Sequence, residues 1–189
     1  KISFSSQEIR FNNKKISSEK IIVACGVWSN ELLKKSFKVL FPMRPLKGVS
    51  MLFKTKKRLF INNIWYRNIY IAPRDNNFLA VGATEDKKGF ESFVTLDEIF
   101  TLCNSLWEYL PEIEKLQFIN TFVGLRSVLS DGNPVIGSLK KNNDIICAFG
   151  HFRHGILLAP ITAKIVSDIV LDYKINENLT FFSPNRFNL

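Results

Sequence analysis

Two short segments carry the residue types best suited to chemistry: 150–160, GHFRHGILLAP, and 124–127, GLRS. In the first, Gly150 and Gly155 flank an arginine, and an apolar run leads to Pro160 at the start of a helical pattern. Proline is favoured in the first turn of a helix, where its missing N–H is no loss. The pattern therefore predicts a helix from about Ala159 to Leu171, fed by a loop over 150–158. The first turn of such a helix offers unpaired backbone N–H groups and the positive end of the peptide dipole. Together they stabilise a partial negative charge by roughly 0.3–1 kcal/mol, and by up to about 2 in a partly buried site. That is the chemistry of a cradle for an electron-rich group, although a packed strand-to-helix connection satisfies the same pattern. Arg126 in the second segment is a planar donor fork suited to a carboxylate; an ordinary salt bridge is its other role. His151 and His154 are the only histidines in the chain, and in a loop such residues more often make hydrogen bonds or face solvent than do chemistry.

The surrounding chain supplies elements to position these segments. Residues 7–11 and 14–17 flank Asn12 and Asn13, which tolerate positive φ, and so predict a hairpin. Residues 20–25 (KIIVAC) form a β-branched run closed by Gly26, as in a strand buried on both faces of a parallel sheet. Ser29 is placed to cap a helix reaching about Leu40. Gly26 then sits in a strand–turn–helix connection where a backbone approaches a ligand or simply packs. Pro42 and Pro45 break the pattern, and beyond them 46–53, 61–65, 68–72 and 78–81 read as short strands of an antiparallel sheet. Thr95 and Glu98 make a capping-box signature for a helix over 96–110 with Ile99, Leu102, Leu106 and Leu110 inward. Strand character returns over 117–125 and ends at Arg126; SDGNP then turns the chain, and a strand over 144–149 delivers it to the cradle. The stretch after Asn176 reads as a polar tail carrying a Phe pair.

Composition bounds the function. A chain of 189 residues, 46% hydrophobic and with 17 Phe, forms one domain or two small ones and is not a disordered polymer. The net charge of +9 raises nucleic acid as a partner. Apart from 54–58 (KTKKR) and Lys140–Lys141, however, basic and acidic residues interleave, as in a general bias of residue usage, so nucleic acid is not the expected partner. Cys25, Cys103 and Cys147 have neither CxxC nor metal spacing, which predicts no metal and a reduced, cytoplasmic compartment. Cys25 and Cys147 lie in apolar runs and are expected to be small buried thiols. No signal peptide is evident, and the apolar stretch near 156–171 is interrupted by Lys164 and Asp168, so a soluble protein without a membrane partner is expected. Because the first residue is Lys1, the chain is expected to be the C-terminal piece of something larger.

IIVACGVWSNELL, RPLKGVS, YIAPRDNNFLAVGATEDKKGF, GLRSVLSDGNPVIG and GHFRHGILLAPITA follow one another from Ile21 to about Ile169. In order and approximate spacing they resemble the C-terminal half of the glycine oxidase branch of the D-amino-acid oxidase family of flavoproteins. The resemblance implies an α/β fold: part of an FAD-binding Rossmann-like domain, in segments 1–41 and 119–189, plus an antiparallel-sheet substrate domain over 42–118. It implies FAD-dependent oxidative deamination of glycine or a similar small amino acid by oxygen, giving the oxo-acid, ammonia and hydrogen peroxide, in connection with thiamine biosynthesis. No acid–base residue is required for a hydride transfer. The implied substrate-side residues are Arg126 for the carboxylate, Tyr70 lining the pocket, and Arg153. The implied cofactor-side residues are Gly26, Trp28, Gly150, Arg153, Gly155, Ile156 and Leu157.

The departures from the family pattern bear on partners. The chain contains no GxGxxG fingerprint, so a separate N-terminal dinucleotide-binding segment is an expected partner; a homo-oligomer is compatible with the sequence, which does not set the number of subunits. The family usually has Pro where Ser127 stands and Asn where His154 stands. No motif resembles the covalent flavin attachment of the sarcosine oxidases, so non-covalent FAD is expected. Two other functions fit parts of the pattern: a non-catalytic or partner-dependent fragment lacking the FAD-pyrophosphate site, and a basic nucleic-acid-binding domain. Copurifying flavin would argue against both, and steeply salt-dependent polyanion binding would favour the second.

Overall fold

The computed structural model describes residues 2–4, 8–12 and 14–189. In chain order its elements are β1 (Ile2–Phe4), β2 (Glu8–Phe11), β3 (Lys14–Ser17), β4 (Ile21–Val23), α1 (Ser29–Phe37), β5 (Met43–Lys54), β6 (Ile64–Tyr66), β7 (Ile69–Arg74), β8 (Phe78–Gly82), α2 (Leu96–Tyr109), β9 (Gln117–Leu129), β10 (Val135–Leu139), β11 (Asn142–Phe149) and α3 (Gly155–Val170). They form two compact units, one of Lys1–Pro45 with Arg126–Leu189 and one of Leu46–Leu125. The class is α/β, as expected.

The first unit is built on the sheet β10-β11-β4, in which β11 runs parallel to β4 and antiparallel to β10. Strand β11 is apolar on both sides because both sides are covered. Its Ile145, Cys147 and Phe149 pack with Leu33 of α1, Phe41 and Leu129, while Ile146 packs with Ile136 and with Ile165 and Val166 of α3. Strand β4 departs from the expectation of burial on both faces: Ile21 and Val23 are buried but Ile22 is 49% exposed. It is the outer strand of this sheet among the described residues, so its second face lacks the cover that β11 has. The predicted hairpin is present as the β2–β3 antiparallel pair, with Asn12 at φ 54°; Gln7 and Asn13 lie outside the described residues.

Ser29 does not cap α1. A 3-10 turn at Gly26–Trp28, opened by Gly26 at φ 54°, starts the helical path one turn earlier, so Ser29 is already helical and its buried hydroxyl makes no hydrogen bond. The helix ends at a left-handed Lys38, short of Leu40, and the Asn30 side chain then clamps both backbone groups of Phe41 at 2.8 and 2.9 Å. The C-terminal stretch is not a free polar tail. Phe182 accepts the Ile136 N–H at 2.8 Å, Phe187 meets the Phe41 ring edge-on, and Arg186 pairs with Asp131 at 2.7 Å. Phe182 and Phe187 are partly buried, and each contributes a share of the about 1.5–3 kcal/mol that full burial of a phenylalanine gives.

The second unit holds most of an antiparallel sheet of order β6-β7-β8-β5-β9. Leu102 and Leu106 of α2 pack on Val49, Met51, Ile71 and Val81. The capping box forms as its sequence predicts, with the Glu98 N–H donating to Thr95 Oγ1 at 3.4 Å and the Thr95 N–H donating to Glu98 Oε2 at 2.8 Å. Pro45 does not interrupt β5, because the ladder of β5 with β8 begins only at Ser50, opposite Gly82. Arg126 likewise does not end β9; the strand runs on to Leu129 beside β5, and Val128 also bridges His151.

Candidate functional site

Strands β4 and β11 are parallel neighbours, with Val23 opposite Cys147. Three residues beyond that pair each strand reaches a glycine with positive φ, Gly26 at 54° and Gly150 at 85°. Both turns therefore leave the sheet at the carboxyl ends of adjacent parallel strands, where open α/β sheets bind their ligands. A Cβ on Gly26 would meet nothing within 4 Å, so its backbone faces open space, and Trp28 beside it is exposed. Gly150 is confined instead: a Cβ there would lie 2.1 Å from Leu129 Cδ1.

From Gly150 the chain passes through a short loop into α3. The helix begins at Gly155, not near Ala159, and Pro160 lies inside it. The first i→i−4 bond, from the Leu158 N–H to the His154 carbonyl, is already made at 2.8 Å. The N–H that Pro160 lacks would have served the Ile156 carbonyl in the exposed first turn, where solvent can replace it, so the helix tolerates the ring. The amides of Gly155, Ile156 and Leu157 are consequently the first-turn donors, immediately after Arg153 and His154. Ile156 and Leu157 are 96% and 76% exposed, so apolar side chains stand beside those amides.

Residues 150–152 lie against the end of β9. The Gly150 N–H donates to Ser127 Oγ at 3.2 Å, the Phe152 N–H donates to the Ser127 carbonyl at 3.1 Å, and His151 bridges Val128. Nε2 of His151 is 3.0 Å from Thr162 Oγ1, and burial pushes the His151 pKa below its ordinary value, so the ring is neutral at physiological pH and fastens the loop to α3. His154 is exposed. Arg126 is half-buried and directly precedes Ser127, so strand alternation points the two side chains to opposite faces.

Tyr70 belongs to the second unit. It is half-buried on β7, opposite Gly82 of β8 and beside Trp65 of β6 at 5.7 Å between ring centroids. A Cβ on Gly82 would come within 2.9 Å of the Tyr70 ring and hydroxyl, so Gly82 leaves the space this phenol occupies. Trp65 and Gly82 escaped the sequence reading; their cross-strand partners are distant in sequence, and only the register of β6, β7 and β8 could have pointed to them, whereas Ser127 was noticed only as a departure from the family pattern and not as a partner of the loop. Cys25 is exposed, against the expectation of a buried thiol, because β4 ends at Val23 and leaves it in the turn. Cys147 is buried, and burial pushes its thiol up to about 12. Among the described residues no cluster of His, Cys, Asp and Glu could hold a metal ion, and no helix is long and apolar enough to cross a membrane.

Exposed first-turn amides, apolar side chains beside them, an adjacent arginine and an open glycine turn suit a flat heteroaromatic ring with an electron-rich edge. Comparison with known proteins gives the family. Residues 6–169 match the model of the DAO family, FAD dependent oxidoreductases. The chain belongs to this family of FAD-dependent oxidoreductases. It is 34% identical to the glycine oxidase of Bacillus licheniformis over 82% of this chain and 42% of that protein. To the bifunctional protein ThiO/ThiG of Trichormus variabilis it is 31% identical over 95% of this chain and 27% of that one. The crystal structure of glycine oxidase from Geobacillus kaustophilus superposes with a TM-score of 0.88 at 26% identity, covering 93% of this chain and 48% of the other. The chain thus spans less than half the length of each of these relatives.

Proposed function

We propose that this chain carries the ring-facing and substrate-facing parts of an amino-acid oxidase of the glycine oxidase type. Bound FAD, held without a covalent link, would take a hydride from the α-carbon of glycine or a similar small amine-bearing acid and return the electrons to oxygen as hydrogen peroxide. The protein's own task is to bind and orient. Arg126 holds the substrate carboxylate by its two-pronged guanidinium, and Tyr70, placed by Gly82, lines the substrate's side. Arg153 and the amides of Gly155, Ile156 and Leu157 face the pyrimidine edge, where negative charge develops on reduction, and Gly26, Trp28 and Gly150 border the ring. Arg153 also lies on the substrate's side. The imino acid left when the hydride and an N–H proton depart is hydrolysed by water to the oxo-acid and ammonia. The likeness to the ThiO/ThiG protein supports a role in thiamine biosynthesis, and a cytoplasmic location goes with it.

The observation that carries this reading is the register of β4 and β11. It sets Gly26 and Gly150 at the same end of one sheet and leads the second into the first turn of α3. The test is anaerobic bleaching of the flavin against glycine concentration in the FAD-loaded protein. Arg126→Ala is expected to keep its flavin while substrate affinity falls by about tenfold to a hundredfold, the worth of one charge-assisted hydrogen bond. Arg126→Lys should recover part of the affinity but not the rate, since a point charge cannot aim the α-carbon. Unchanged substrate dependence in Arg126→Ala overturns the assignment; loss of flavin makes Arg126 a support of the cofactor.

A further inference from the structure

We propose that Ser127 is a positioning residue whose hydroxyl sets the turn through which β11 delivers the ring-facing loop, a role that rests on the cofactor reading above. Two ties hold residues 150–152 to this one residue: its Oγ accepts the Gly150 N–H at 3.2 Å and its carbonyl accepts the Phe152 N–H at 3.1 Å. Between those amides the chain must pass through a positive φ at Gly150 and another at Phe152, of 85° and 50°. Phenylalanine rarely adopts that conformation, so its surroundings must impose it. The bonds to Ser127 fix the amides at both ends of this double reversal, and Arg153 and the first turn of α3 follow at once.

The carbonyl tie belongs to any residue at position 127; the hydroxyl tie does not. A proline there would keep the Phe152 bond and lose the Gly150 bond. The hydroxyl therefore adds a fixed point to the loop that backbone pairing alone does not supply. Arg126 points to the opposite face of β9, so this part of the strand presents a carboxylate-binding fork on one side and a loop clamp on the other. The two residues are adjacent, yet their effects separate: Ser127 acts on the placement of the loop and Arg126 on affinity for the substrate.

The test compares wild type, Ser127→Ala and Ser127→Thr in the complete FAD-loaded protein. Two readouts are used: amide hydrogen exchange over residues 150–154, and anaerobic flavin reduction resolved into limiting rate and substrate dissociation constant. Ser127→Ala is expected to speed exchange at Gly150 and to slow the limiting rate by about two- to tenfold, the worth of one neutral hydrogen bond, with the substrate constant unchanged. Ser127→Thr, which keeps the hydroxyl, should restore both. Exchange and rate both equal to wild type in Ser127→Ala overturn the proposal. So does a rise in the substrate constant as large as that of Arg126→Ala, which would put the serine on the substrate's side. If Ser127→Ala does not fold, the pair Ser127→Thr and Ser127→Val decides, since the two differ only by the hydroxyl: faster exchange at Gly150 in Ser127→Val than in Ser127→Thr supports the hydroxyl clamp, and equal exchange overturns it. Faster exchange in Ser127→Ala without any reduction by amino acids in wild type upholds the clamp and sinks the proposed substrate instead.

Discussion

Lys47 and Glu98 are the two charged side chains that the second unit buries, with 0% and 2% of their surfaces exposed. The ammonium lies 2.8 and 3.0 Å from the two Glu98 oxygens, and Lys88 stands 3.5 Å from one of them. Glu91 lies 3.8 Å from the Lys47 ammonium, which also faces the Phe93 ring at 5.1 Å. Burial by itself would raise the Glu98 pKa, but the Lys47 bond and the Thr95 backbone and hydroxyl bonds outweigh it and bring the group from the ordinary 4.5 down to about 2. A folded-state pKa below the unfolded one means stability that is present above pH 4.5 and lost as pH falls toward 2, on the order of 3 kcal/mol. Thermal unfolding should show that loss across this window. Glu98→Gln should remove this share of the pH dependence and cost up to about 3–5 kcal/mol at neutral pH, because Lys47 would remain buried with only the more distant, half-exposed Glu91 as counter-charge. Replacing both residues, Lys47→Met with Glu98→Leu, should restore most of the stability. An acid titration identical in wild type and Glu98→Gln would show that other carboxylates govern the transition.

Elements with their signals in contiguous sequence were legible, and those decided by partners far along the chain were not. The capping box at Thr95 and Glu98 and the strand of β11 announce themselves in a few neighbouring residues. The start of α3 did not, because Pro160 favours a helix beginning near itself, whereas the ties of 150–152 to β9 set Gly155 as the first helical residue. Arg126 was legible as a residue type, but its place inside β9 was not, because the neighbouring strand β5 lies far back in the chain. The glycine of the loop was read as a cofactor residue, and the structure adds a packing demand that sequence cannot display. Gly150→Ala would combine a positive φ, worth about 1–2 kcal/mol, with overpacking against buried Leu129, worth about 1–3. The variant should therefore lose about 2–5 kcal/mol in chemical denaturation. Gly26→Ala, which meets nothing within 4 Å, should lose only the smaller, conformational share. Equal losses at the two positions would mean that the contact with Leu129 relaxes freely.

At the scale of the molecule, the short runs beyond Pro45 were legible as strands of an antiparallel sheet. The place of β9 beside β5 was not visible, because strand pairing far along the chain leaves no local trace. The cofactor reading has a consequence at the same scale. The turns at Gly26 and Gly150 and the first turn of α3 can meet a ring, whereas residues 1–189 hold no GxGxxG turn to receive a pyrophosphate. A polypeptide of these 189 residues should therefore recognise only the ring. FAD, FMN and riboflavin are expected to bind it with equal, weak affinity, measured by quenching of flavin fluorescence with folding confirmed by circular dichroism. The comparison is sharper than the affinity alone, because a pyrophosphate site would separate the three ligands however tightly the ring is held. A preference for FAD over riboflavin of tenfold, about 1.4 kcal/mol, would show that these residues already grip the phosphates. The α3 first turn would then be the place to look for that grip, since its amides and the adjacent Arg153 are the positive groups at this end of the sheet.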